Sequence, residues 1–74
     1  MIRITSKPKE LETARVLAGY SQRGLSQKAG INPSTLNHAE RKAKQVWPQT
    51  AKAIASALNT EVSQLFVIEQ EAQE

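Results

Sequence analysis

Two spacings alternate along this chain. Ile2 and Ile4 flank Arg3 and are followed by Thr5, a period of two that predicts a short half-buried strand. From Pro8 the period becomes helical, and Leu11, Ala14, Leu17 and Ala18 predict the inward face of a helix ending at Gly19. Leu25, Ser26 and Ala29 predict a second helix capped by Ser21. At Gly30 the chain must leave that helix, and a residue without a Cβ takes φ > 0 cheaply. Asn32 can cap a third helix with Pro33 at its first position, and it should run to Glu40 or Arg41 with Leu36 and Ala39 inward. RKAKQVW is expected to be a loop. Pro48 opens a fourth helix with the stripe Ala51, Ile54, Ala55 and Leu58, and Thr60 can cap a last short helix through Leu65. The apolar run Leu65-Phe66-Val67-Ile68 can pair with the first strand and tie the termini together; a frayed MIRI arm is the alternative.

These elements predict one helical domain over residues 1–74, with a core of about 8–66, a helix-corner-helix unit at 21–41 and a mobile acidic tail at 69–74. Leu11, Leu17, Leu25, Ile31, Leu36, Ile54, Leu58, Val62 and Leu65 are the expected core. Each contributes roughly 1.5–3 kcal/mol if fully buried. At 74 residues the chain sits near the lower limit for folding by its core alone. Gly24, inside the short second helix, costs roughly 1 kcal/mol relative to alanine.

Composition narrows the chemistry. With no cysteine, one histidine and no aspartate, a disulfide framework, a metal cage or a paired-acid active site is not expected. No apolar run approaches the roughly 20 residues that span a bilayer, and no signal peptide is visible, so a soluble cytoplasmic protein without cofactors is expected. Charge is segregated. Between Thr13 and Thr60 the bases Arg15, Arg23, Lys28, Arg41, Lys42, Lys44 and Lys52 face the single acid Glu40, whereas Glu61 onward holds glutamates and no base. A basic middle attracts phosphate backbones, and the corner at Gly30 lets the third helix project into a DNA major groove.

The order Arg15, Ser21-Gln22, Gly30-Ile31, Ser34-Thr35-Leu36, Glu40 and PQTAKAIASALNTEVSQLF resembles the Cro/lambda-repressor (Xre-type) helix-turn-helix family over about residues 11–66. The resemblance implies an all-α, compact five-helix fold. It also implies a transcriptional regulator, here a repressor, that binds an inverted-repeat operator as a homodimer. The family often carries a glycine two residues after its glutamate. Lys42 stands there instead, so the third helix should continue slightly further.

With Leu36 and Ala39 inward, Ser34, Thr35, Asn37, His38 and Arg41 are left on the exposed sides. Ser34, Thr35, Asn37 and His38 are the candidates for base contacts, since asparagine pairs bidentately with adenine and hydroxyls reach base or phosphate. Ser21, Gln22, Lys28, Arg41, Lys42 and Lys44 are the candidates for phosphate contacts, Gln22 through its place at a helix start. By the resemblance, Arg15 and Glu40 form a structural ion pair. Tyr20 is expected to be partly core, and Trp47 either core or an interface anchor. The rival functions are an antitoxin that also binds a toxin partner, and a protein-interaction module without DNA binding.

Overall fold

The computed structural model describes residues 2–70. Among them the order is β1 (Ile2–Ser6), α1 (Pro8–Leu17), α2 (Gln22–Ala29), α3 (Pro33–Arg41), β2 (Gln45–Val46), α4 (Pro48–Ala57), α5 (Val62–Leu65) and β3 (Phe66–Gln70). The five helices form the body. The strands form one antiparallel sheet in the order β2-β1-β3, with Ile4 opposite both Val46 and Ile68. The expected pairing of the termini is therefore present, with a third strand beside it.

The helix ends follow the chemistry of their boundary residues. Ser21 Oγ accepts from Gly24 N, and Asn32 Oδ1 accepts from Ser34 N, each satisfying a donor that a helix start leaves open. Gly30 lies at φ 72°, in the left-handed region, and ends α2. Its N–H reaches Gln27 O while Ile31 N reaches Ser26 O, the paired bonds of a Schellman stop. A Cβ built on Gly30 meets nothing within 4 Å, so only the backbone resists a side chain there. Gly30→Ala should therefore cost about 1–2 kcal/mol with no loss of packing. The measurement is a lower urea midpoint at unchanged slope; an unshifted midpoint would refute the strain argument.

Ile4, Leu11, Leu25, Leu36, Ala39, Val46, Ala51, Ile54, Ala55, Leu65 and Phe66 are buried together. Ile31, Leu58 and Val62 are half-buried at its margin. Leu17 departs from expectation and is 82% exposed. Six residues from Leu11, at about 100° per residue, it is rotated roughly 120° off the inward stripe. Arg15, four residues from Leu11, holds the buried position instead. Ala18, also expected inward, is exposed beyond the helix end.

Four boundaries also differ. The RKAKQVW segment is not all loop: Gln45 and Val46 pair with β1, which buries Val46. Despite Lys42 in place of glycine, α3 stops at Arg41, and Lys42 is fully extended (φ −160°). Glu61 precedes α5 as its cap residue, and Thr60 N instead bonds Ala55 O at the end of α4. Glu69 and Gln70, expected in the acidic tail, belong to β3, and the rest of that tail (71–74) lies outside the described residues.

Candidate DNA-reading surface

α2 and α3 meet across the Gly30 corner, and Leu36 and Ala39 seat α3 on the body with no exposed surface. That leaves Ser34 and His38 exposed and Thr35 and Asn37 half-exposed on the other sides of the helix. The four candidate base contacts thus share one helix whose opposite face is packed.

Behind them runs a chain of polar contacts. Arg15 Nε donates to Glu40 Oε2 at 2.7 Å and Arg15 Nη2 donates to Oε1 at 3.0 Å, a two-point pair. Arg15 Nη1 donates to Tyr20 O at 2.8 Å, tying the same guanidinium to the turn before α2. The hydrogen bond from Arg15 to Glu40 raises the arginine above its ordinary value, burial opposes this, and the carboxylate's charge adds to the rise. Gln22 Nε2 donates to Glu40 Oε1 at 3.0 Å, and Asn37 Nδ2 donates to Gln22 Oε1 at 3.1 Å.

The directions in this chain are forced. An ionised carboxylate only accepts, so Gln22 must turn its nitrogen toward Glu40 and its oxygen toward Asn37. Asn37 must then present nitrogen to Gln22. One Nδ2 proton is used, while the second proton and Oδ1 remain for a ligand. That donor–acceptor pair matches the N7 and N6 edge of adenine.

The cations fall around α3. His38, Arg41, Lys42, Ala43 and Lys44 line a shallow cleft of about 490 Å³ at its C-terminal end. Lys28 is exposed in the last turn of α2, and exposed Ser21 caps its start. The Gln22 side chain, expected on a phosphate, is engaged with Glu40 and Asn37 and keeps one amide proton to offer outward. The first turns of α2, α3 and α4 carry no acidic residue. Glu40 is the only acid between Thr13 and Thr60, and Arg15 neutralises it; the surface of that segment is thus cationic. Tyr20 packs partly against the core, whereas Trp47 is 79% exposed, so its core alternative is overturned.

Sequence reasoning missed Ser6. It is buried, and its hydroxyl touches the backbone of α3 and of the loop that follows. The signal was present in the period of two, which puts Ser6 on the same face of β1 as buried Ile4, whereas Ile2 at the start of the strand is exposed.

This arrangement defines a helix-turn-helix domain of the kind found in DNA-binding transcriptional regulators rather than in enzymes. The helix-turn-helix family model HTH_3 matches residues 11–65, and the chain belongs to this Cro/lambda-repressor-type family. The chain is also similar to the restriction-modification controller protein C.AhdI from Aeromonas hydrophila. The two share 26% sequence identity and superpose with a TM-score of 0.71 over 77% of this chain and 86% of that one. No curated protein matches the chain. Among the described residues, no helix is long and apolar enough to cross a membrane.

Proposed function

We propose that this protein is a cytoplasmic repressor that reads a short inverted-repeat operator with α3 in the major groove, two copies binding as a homodimer. The observation that carries this reading is the division of α3: Leu36 and Ala39 fully buried, with Ser34, Thr35, Asn37 and His38 turned to the opposite sides. The resemblance to a restriction-modification controller supports a role in controlling transcription. Asn37, with a free oxygen and a free amide proton, reads adenine; Ser34, Thr35 and His38 contact neighbouring bases. Ser21, the start of α2 at Gln22, Lys28, Arg41, Lys42 and Lys44 hold phosphates and set the register. Exposed Val16 and Leu17 at the end of α1, and exposed Trp47, offer apolar surface for the second copy.

Binding-site selection from a random DNA pool tests this reading. It should return two half-sites with centres roughly 34–36 Å apart, one turn of DNA. A pool that stays random would refute base reading, and a monomer at every concentration, with and without the selected DNA, would refute the dimer. Removing the phosphate contacts should be visible in the salt dependence. Replacing Arg41, Lys42 and Lys44 one at a time by alanine should lower the slope of log K against log salt by about 0.9 each, with the selected sequence unchanged. An unchanged slope would remove that residue from the interface.

A further inference from the structure

We infer that Ser6, through one buried hydroxyl, caps α3 from outside the helix and positions the Arg41–Lys44 segment for phosphate contact. This rests on the DNA-binding reading above. The last helical bond of α3 runs from Lys42 N to His38 O, at 3.3 Å. Ala39 O is therefore the next carbonyl in line, and the extended Lys42 cannot provide the left-handed stop that Gly30 provides for α2. Ser6 Oγ donates to Ala39 O at 2.9 Å and supplies the missing partner. Its 3.4 Å approach to Lys42 O is secondary, because a hydroxyl has one proton to give.

The same residue grips the loop. Lys44 N donates to Ser6 Oγ at 3.0 Å, and Ser6 N donates to Lys44 O at 2.8 Å. Both backbone polar groups of Lys44 are thus held by one residue of β1, the central strand of the sheet. The strand fixes the wall of the cationic cleft formed by His38, Arg41, Lys42, Ala43 and Lys44. Ser6 is a positioning residue: it lies under the cleft, is 2% exposed, and acts through Lys44.

The test is salt-dependent binding of the full chain to its selected operator, with thermal unfolding to verify that each variant is folded. Ser6→Ala should lower the log–log salt slope by about 0.9, the contribution of one phosphate, and Ser6→Thr, which keeps the hydroxyl, should restore it. In a Lys44→Ala background, Ser6→Ala should have no further effect on the slope, whereas a merely structural role would lower affinity equally in both backgrounds. In the free protein, the Lys44 amide should exchange with solvent at least tenfold faster in Ser6→Ala. If the alanine variant does not fold, Ser6→Cys carries the same expectation, since it keeps the volume with a much weaker donor. A wild-type slope in the folded Ser6→Ala or Ser6→Cys variant, or an undiminished effect beside Lys44→Ala, would overturn the positioning role alone. A wild-type protein that does not bind DNA would overturn the DNA reading, and the positioning role with it.

Discussion

Glu40→Ala should remove about 3–5 kcal/mol of folding stability, a loss comparable with truncating a fully buried core side chain. The side chains of Arg15 and Glu40 are 11% and 4% exposed, so neither recovers full hydration when its partner is deleted. Without Glu40, a buried guanidinium keeps only the Tyr20 carbonyl, and Gln22 Nε2 loses its acceptor. Domains of this size have a total stability of about 5–15 kcal/mol, and each kcal/mol lost lowers Tm by roughly 4–8 °C. The variant should therefore melt at least about 12 °C below the parent in a circular-dichroism scan. A loss under about 1 kcal/mol, the range of a solvated surface pair, would show that the contact contributes little.

Arg15 should add no pH dependence near neutrality. A group whose value is raised on folding stabilises the fold fully below its unfolded value, and loses that contribution only as pH rises through the folded one. For Arg15 that window lies far into alkali. Replacing both partners by apolar residues should cost less than removing Glu40 alone, because no charge is left buried and unpaired. Recovery should be incomplete, since Tyr20 O and Gln22 Nε2 would still lack their partners.

The helices were legible because their signals are local. Ser21, Gly30, Asn32, Pro33 and Pro48 mark boundaries by their own backbone chemistry, and α2, α3 and α4 begin where those residues place them. Leu36 and Ala39 could be assigned inward because spacing three on one short helix leaves little choice of face. The same rule failed at Leu17, since Ala14 and Leu17 are three apart but Leu11 and Leu17 are six apart. An apolar stripe also cannot announce that an arginine will be buried. Arg15 is inward because Glu40, 25 residues later, meets it there, and the family resemblance rather than the periodicity supplied that expectation.

The sheet was partly legible. Alternation marked β1 and the run Leu65–Ile68 marked β3, but β2 is only Gln45 and Val46, too short to display a period. Its pairing follows from the sharp end of α3, which turns the chain back toward β1. The candidate surface has the same mixture of local and non-local information. Which residues α3 exposes follows from one helix, whereas the orientation of Asn37 depends on Gln22, Glu40 and Arg15 from two other helices and the end of α3 itself.

That orientation gives the second large effect. Asn37→Ala should weaken operator binding by about 1–3 kcal/mol, roughly 5- to 150-fold, and relax the preference for adenine at one position of each half-site. Adding Ser34→Ala should weaken it further, while the salt slope changes little because base contacts displace few counterions. The folded state should lose only about 1 kcal/mol, since one hydrogen bond to Gln22 is removed from a half-exposed residue. Asn37→Asp separates orientation from mere contact. A carboxylate cannot donate to Gln22 Oε1, so it either repels that oxygen or forces the Gln22 amide to flip against Glu40. A carboxylate facing a base edge accepts from cytosine N4 and cannot donate to adenine N7, so the selected base should change, not merely be tolerated. Footprints and affinities unchanged by Asn37→Ala with Ser34→Ala would mean that this flank of α3 does not read DNA. The helix-turn-helix would then have to act through another face, and a protein partner would become the better account of its exposed polar side chains.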